Sequence, residues 1–426
     1  MVFTEQFLFF IWQFRLFDFK GLSCVGGELL EVVSPGLLNQ NAGPDFSKAK
    51  LLIDGTLWVG NVEIHLRSSD WYLHHHQKDA AFESVILHVV YEHDREICRK
   101  DGSLIPVLVL KERFPAGLLA RYQLLLNEKQ AFPCANQLQI VDPIIVESTL
   151  SRLIAERFED KSNEILHRLD LLKGNWDETF YFFIARAFGF NVNAQPFEML
   201  ATSLPQQIMA KHKNSQFQIE ALTFGQSGLL RSDFTDTYPR ALFAEYTFLR
   251  KKYRLQEINA EAWKFMRMRP QNFPTIRLAQ FASLMANSSH LFSTILELEE
   301  LPDVCRLFEN LPVNPYWKQH YHFNKATKQV SLQLGRSSIH GIVINTICQL
   351  LFSYGRYTGN AMLSDRAFSF LTSLAPEHNT IIAQYVRSGL KPENAMMSQA
   401  ILQLNKYYCN QKKCLNCGVG VKILNR

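Results

Sequence analysis

Two short stretches carry residue types that can act together on a metal ion or on water. Gly43-Pro44-Asp45-Phe46 sets an aspartate at the mouth of one predicted strand. The run Trp58-Val59-Gly60-Asn61-Val62-Glu63-Ile64-His65 carries a Glu-x-His pair along the next. Side chains alternate faces in a strand, so Glu63 and His65 share a side about 7 Å apart while Val62 and Ile64 turn into a core. A carboxylate from one strand, joined by a carboxylate and a nitrogen base from its neighbour, can hold a hard divalent ion and orient water beside it. The competing expectation is that Asp45 caps a turn and that Glu63 and His65 face solvent from a half-buried strand.

Other clusters bear on the same chemistry. Ser68-Ser69-Asp70-Trp71 is followed by His74-His75-His76 and Asp79. His74 and His76 cannot meet one ion from a regular helix but can from an extended turn, whereas His76 and Asp79 share a helix face at i and i+3. Asp70, His74, His76 and Asp79, with Glu28 on the preceding strand, are candidates to support the Asp45 site or to contact phosphate. His88 lies within an apolar run and reads as a hydrogen-bonded core histidine. Near the C-terminus Cys409, Cys414 and Cys417 form a C-x4-C-x2-C knuckle, with Gly418 after it. A Cys-x2-Cys-Gly turn suits structural zinc, with a fourth ligand unassigned; an iron–sulfur centre and unligated thiols are the alternatives. Lys412 and Lys413 between the thiols favour thiolates. Finally, Arg250, Lys251, Lys252, Arg254, Lys264, Arg267, Arg269 and Arg277 interleave with Tyr253, Trp263 and Phe265. Lys251, Lys252, Arg254, Arg267 and Arg269 are the candidate nucleic-acid contacts, with aromatics to stack bases; a solvated helix face is the alternative.

The elements that must position these residues divide the chain in two. Residues 5–17 predict an amphipathic helix, 28–33 a strand, 49–53 and 56–66 a hairpin, and 85–91 a strand buried on both faces. Residues 95–99 and 104–110 predict a further hairpin. From about residue 143 helices follow one another: 145–172, 177–188, 194–213, 216–224, 239–253, 258–267, 275–286 and 291–298, then others to about 409. The fold class is therefore α+β: a mixed-sheet domain over 1–112, a connecting segment over 113–142, and an all-helical domain over 143–426 that ends in the cysteine knuckle.

At 426 residues the chain exceeds one ordinary core. Its 47% apolar and 20% charged residues exclude disordered and fibrous classes, and a formal charge of +5 is too mild to identify a polyanionic partner. The apolar patch from Phe7 to Trp12 lacks a basic leader and a cleavage site, so no signal peptide is expected. No run of about eighteen apolar residues occurs, so no membrane partner is expected. Scattered cysteines point to a reducing compartment, with the cytoplasm as the default.

The order helix, strand, Asp-led strand, Glu-x-His strand, helix, buried strand resembles the core of PD-(D/E)xK nucleases over about residues 5–112. Pro44-Asp45 matches that superfamily's Pro-Asp, and Glu63-Ile64-His65 its acidic-x-Lys with His in place of Lys. The resemblance implies a restriction-endonuclease-like fold in which Asp45 and Glu63 ligate Mg²⁺ or Mn²⁺ and His65 positions or deprotonates water. Lys would also supply a permanent positive charge, which His65 does not. A non-enzymatic nucleic-acid- or protein-binding scaffold with an inactive core is the alternative. Nearly the whole chain also resembles one uncharacterised bacterial family known only as a domain of unknown function. The residues that carry this likeness are Gly43 to Phe46, Val62 to His65, Ser68 to Trp71, Ile86 to Val90, Arg269 to Pro274, Cys409, Cys414-Leu415 and Cys417. It implies a cytoplasmic two-part protein and no particular activity.

Overall fold

The computed structural model describes residues 4–39, 42–128, 130–288, 290–329 and 331–425. The chain is α+β, with a mixed sheet near the N-terminus followed by helices. It forms two compact units, one of residues 1–149, 384–390 and 404–426, the other of residues 150–383 and 391–403.

In the first unit, helix α1 (Glu5–Gln13) buries Phe7, Phe10 and Ile11, and stops before Phe17 because Arg15 takes a left-handed φ of 53°. Strands β1 (Leu30–Ser34), β2 (Leu37–Leu38), β3 (Phe46–Ile53), β4 (Thr56–Arg67), β5 (Val85–Glu92) and β6 (Val107–Val109) form one sheet in the order β1-β3-β4-β5-β6, with β2 also on β3. β3 pairs antiparallel with β1 and β4, whereas β4, β5 and β6 run parallel. A parallel pair needs a crossover, and the short helix α2 (Asp70–Leu73) lies on it. The hairpin expected over 95–110 reduces to one bridge between Cys98 and Leu104. Its second half joins the sheet beside β5 instead, which buries Ile105, Val107, Leu108 and Leu110.

The register fixes two faces. Phe46 pairs with Val62, and Phe9 of α1 meets the Phe46 ring edge-on at 6.0 Å, so α1 covers the Phe46/Val62/Ile64 face. Glu63 pairs with His88 and His65 with Val90 on the opposite face, where Trp71, Phe82, Val85, Val90, Ile97, Ile105 and Val107 form a core. β5 is buried on both faces, as its unbroken apolar run predicts.

The expected division at residue 143 differs from these units, because the C-terminal tail packs with the first. Arg121 on helix α3 (Ala116–Asn127) donates to the Leu424 carbonyl at 3.2 Å, and Lys412 Nζ donates to that of Leu126 at 2.7 Å. Phe132 stacks on Tyr385 with ring centroids 4.0 Å apart. Residues 113–142 are thus part of a packed layer rather than a linker.

The second unit is mainly helical, with Trp176–Phe188, Gln216–Gln226, Thr237–Tyr253, Pro274–Asn287 and Leu291–Glu297 close to expectation, but it is not all-helical, because His320–His322 and Lys325–Ala326 pair as a small antiparallel sheet. The helix expected over 194–213 splits into Ala194–Ser203 and Gln206–Ala210 around Pro205, which has no N–H to continue the first. The helix expected over 258–267 is absent; a single turn, Ala260–Ala262, stands there. Asn193 clamps that loop, accepting from Lys264 N at 2.9 Å and donating to Lys264 O at 3.0 Å. Among the described residues, no helix is long and apolar enough to cross a membrane.

Candidate functional site

Asp45 is positioned by its turn. Gly43 holds a φ of +105°, open to glycine and costly for other residues, and Asn39 donates to the Pro44 carbonyl at 3.0 Å while its N–H reaches the Asp45 carbonyl at 2.7 Å. A bulge between Phe46 and Ala49 follows, with Lys48 at φ 58°. Bulges re-aim neighbouring side chains. Asp45 then interlocks with β4: its Oδ2 accepts from Ile64 N at 2.9 Å, and its own N–H donates to Glu63 Oε2 at 3.1 Å. Glu63 and His65 are 4% and 2% exposed, which removes the solvent-facing expectation for both.

Glu63 stands at the junction of two groups of side chains. Its Oε1 lies 3.6 Å from His65 Nε2 and 3.3 Å from His76 Nε2. His65, His74 and His76 each offer a ligand nitrogen, and these lie within 4.8 Å of one another. The convergence has a local cause. α2 ends at Leu73, and His75 takes a left-handed φ of 64°, so His74 and His76 leave the helix and turn to one point, as an extended turn allows. His65 is held at both nitrogens, Nδ1 by His88 Nε2 at 2.8 Å and Nε2 by His74 Nδ1 at 3.0 Å. His88 is wholly buried and hydrogen-bonded, the core role its setting predicts.

Burial lowers the His65 pKa to about 3, with His76 and His74 adding to the effect, so the ring is neutral at pH 7. The Asp45 carboxyl is pushed up to about 8, first by burial, then by the Glu63 charge, with the Ile64 N–H opposing and Glu5 adding. Glu5, the first residue of α1, is itself raised, chiefly by burial; His74 opposes that shift, while Asp70 and Glu63 add to it. Glu5 is thus within electrostatic reach of Glu63, Asp70 and His74, and sequence reasoning missed it. Its only signal was a carboxylate at the start of the opening helix.

The other candidates are placed as follows. Asp70 accepts from Arg67 N at 3.0 Å beside the cluster. Ser69 does not cap α2 with its hydroxyl, which donates to Asp94 at 2.7 Å; Ser68 donates to the same carboxylate at 3.0 Å. Asp79 is exposed and accepts from Ala81 N at 2.9 Å, capping the next turn instead of sharing a face with His76. Glu28 lies beyond the far end of β3, where Leu29 N donates to Asp54. That end is seven residues from Phe46, or about 23 Å along the strand. Cys409, Cys414 and Cys417 line one pocket, joined by Cys134, which the sequence did not nominate. Burial pushes the Cys409 and Cys414 thiols up to about 12, and the opposing pull of Lys412 on Cys414 is smaller.

In the second unit Lys251, Lys252, Arg254, Arg267 and Arg269 are exposed, but only the first two lie in a helix. The interleaved aromatics face inward: Trp263 is buried and donates to the Ser227 carbonyl at 2.9 Å, and Tyr253 OH bonds His212 at 2.9 Å. Arg277 is buried too, bonding Asn272 at 2.7 Å and Gln280 at 3.0 Å.

The first unit is thus a mixed-sheet α+β core with a carboxylate–imidazole cluster on one face, buried at Glu63, His65 and His88 and open to solvent at His74. One protein-family model, described as protein of unknown function (DUF2851), matches residues 5–380, and the chain belongs to that family. No curated protein and no solved structure matches it.

Proposed function

We propose that the first unit is a divalent-metal-dependent phosphodiester hydrolase acting on nucleic acid. One observation carries the reading: Glu63 joins the Asp45 turn, accepting from Asp45 N at 3.1 Å, to the point where His65, His74 and His76 converge, its Oε1 3.3 Å from His76 Nε2. The residues fit a cation. His76 Nε2 is closed off from solvent, makes no hydrogen bond among the described residues, and lies 3.3 Å from Glu63 Oε1. Burial, then the neighbouring acids, push the Asp45 and Glu5 carboxyls up, a cost of crowding acids that a divalent ion offsets. Carboxylates suit Mg²⁺ or Mn²⁺, and the added imidazoles favour Mn²⁺. When bound, the ion supplies Lewis-acid polarisation of a phosphoryl oxygen and a more acidic water.

Asp45 and Glu63 hold the ion in this reading. His88 fixes the His65 ring through Nδ1, so His65 acts on water at Nε2, the nitrogen facing Glu63 and His74. The element order and sheet directions agree with the PD-(D/E)xK resemblance. Phosphate contact is assigned to Lys251, Lys252, Arg254, Arg267 and Arg269 on their exposure. A cytoplasmic setting belongs to the same reading, supported by the scatter of the cysteines along the chain and by no disulfide joining them among the described residues.

A second reading, a nucleic-acid- or protein-binding scaffold on an inactive core, is favoured by one observation. Both His65 nitrogens are engaged by other imidazoles, which competes with water for the lone pair.

The test is cleavage of single- and double-stranded DNA and RNA by the full chain with Mn²⁺ or Mg²⁺. Cleavage lost in both Asp45→Ala and Glu63→Ala supports the hydrolase. Cleavage that persists in either variant overturns it. Manganese uptake that needs these acids, without cleavage of any substrate, selects the scaffold.

A further inference from the structure

The histidines of the first unit meet Glu63 as a ligand set with a metal preference of its own. His65, His74 and His76 each present a nitrogen, all within 4.8 Å of one another. His65 Nε2 stands 3.0 Å from His74 Nδ1 and 3.6 Å from Glu63 Oε1, and that same oxygen stands 3.3 Å from His76 Nε2. Four donors bonded to zinc at about 2.0–2.1 Å in a tetrahedron sit about 3.4 Å apart. The separations of 3.0, 3.3 and 3.6 Å bracket that value. Three imidazoles and one carboxylate also suit zinc chemically, whereas magnesium and manganese prefer sites built mainly from oxygen.

We propose that His65, His74, His76 and Glu63 form a tetrahedral zinc site, which shares only Glu63 with the Asp45–Glu63 pair assigned to the catalytic ion. The groups behind the ligands are already in place. Glu63 Oε2 accepts from Asp45 N at 3.1 Å, which leaves Oε1 to face the histidines. His65 Nδ1 pairs with His88 Nε2 at 2.8 Å. With the proton of that bond on His65, its Nε2 lone pair is free for the ion, and partners of this kind fix the ring of a ligating histidine. The His76 ring stacks on Phe82 with centroids 3.8 Å apart and meets Trp71 edge-on at 5.3 Å. Its Nε2 is shielded from solvent and makes no hydrogen bond among the described residues. His74 is exposed, so the ion has a way in. On binding, His74 exchanges its Nδ1 proton for one on Nε2, with no net change of charge.

Such an ion ties β4 to the crossover that leads into β5, both within the first unit. It also occupies the His65 nitrogen that acts on water in the hydrolase reading, so bound zinc silences cleavage. The silencing rests on that reading; the zinc site does not.

The experiment is zinc titration of the chelator-stripped full chain by calorimetry in excess Mg²⁺, with cobalt(II) as a spectroscopic stand-in. One zinc per chain that depends on these histidines is expected. Losing a group behind a ligand costs about 10–100-fold in metal affinity. His74→Ala and His76→Ala remove ligands and should each cost at least that, while His320→Ala in the second unit should change nothing. The cobalt lost in His74→Ala should carry the strong visible absorption of a four-coordinate site and no thiolate charge-transfer band, which sets it apart from the cysteine tail. Zinc uptake unchanged in both ligand variants overturns the site, and so does a weak, six-coordinate cobalt spectrum. Should His76→Ala fail to fold, His74→Ala decides alone, since its ring lies at the surface. Manganese-dependent cleavage that continues at full rate with zinc bound overturns the silencing. Zinc held by these residues in a chain that cleaves no substrate supports the site and counts against the hydrolase reading alone.

Discussion

Replacing Asp45 with asparagine should stabilise the metal-free protein and remove its response to Mn²⁺. In the fold the Asp45 carboxyl titrates at about 8, against about 3.9 in the unfolded chain. A carboxyl whose pKa is raised on folding lowers stability as pH climbs from the unfolded value toward the folded one. Below about pH 4 both states are protonated and the effect vanishes; above about pH 8 both are ionised and it levels off. At pH 7 about three pH units separate the solution from the unfolded pKa, each worth about 1.4 kcal/mol, giving an upper bound of about 4 kcal/mol. Asparagine keeps an oxygen for the Ile64 N–H but loses the negative charge beside Glu63. The expected gain is about half the bound, ~2 kcal/mol at pH 7–8. The assay is urea unfolding of Asp45→Asn and unaltered protein at pH 4, 6 and 8, with chelator and with saturating Mn²⁺. Without metal the variant should gain stability steadily from pH 4 to 8, and with metal only the unaltered protein should be stabilised further. A variant no more stable at pH 8 than at pH 4 refutes the electrostatic argument. An equal Mn²⁺ response in both proteins refutes the metal site.

Three further outcomes follow from the geometry. His75→Gly should leave stability within about 1 kcal/mol, because glycine accepts the left-handed φ, whereas His75→Val should lose about 1–2 kcal/mol and weaken Mn²⁺ binding, both read by unfolding and calorimetry. Gly60→Ala should destabilise by about 2 kcal/mol or more, measured by urea unfolding, because its Cβ would stand 2.4 Å from Ile86 Cγ2 and 2.8 Å from the Ser84 carbonyl oxygen. The double variant Lys251→Glu with Lys252→Glu should weaken nucleic-acid binding and lower the slope of log affinity against log salt by about 2; an unchanged slope removes these residues from the interface.

The strands that carry the cluster were legible because period-two burial and glycine turns are local signals. Asp45, Glu63 and His65 could be placed together from spacing alone. The convergence of His74 with His76 could be stated only as a condition, since the left-handed His75 that produces it has no sequence mark. Glu5 and Cys134 were invisible for a different reason. Each reaches its neighbours through tertiary packing, one by α1 lying across β4 and the other by the tail folding against α3. Residues 258–267 failed as a helix for the same reason, because the Asn193 side chain, far off in sequence, claims that backbone.

The energetics argue that the buried cluster serves something other than stability. A buried apolar side chain contributes roughly 1.5–3 kcal/mol, and the core around Trp71 and Phe82 is built of such residues. Glu63, His65 and His88 occupy the same face at 4%, 2% and 0% exposure. His88 Nδ1 and His76 Nε2 lack hydrogen-bond partners there among the described residues. An unsatisfied buried polar group costs about 1–3 kcal/mol. Leucine or phenylalanine at these positions would reverse both signs. A sheet that sets a carboxylate and linked imidazoles in its best-shielded register carries polar atoms there that apolar side chains would not leave unsatisfied.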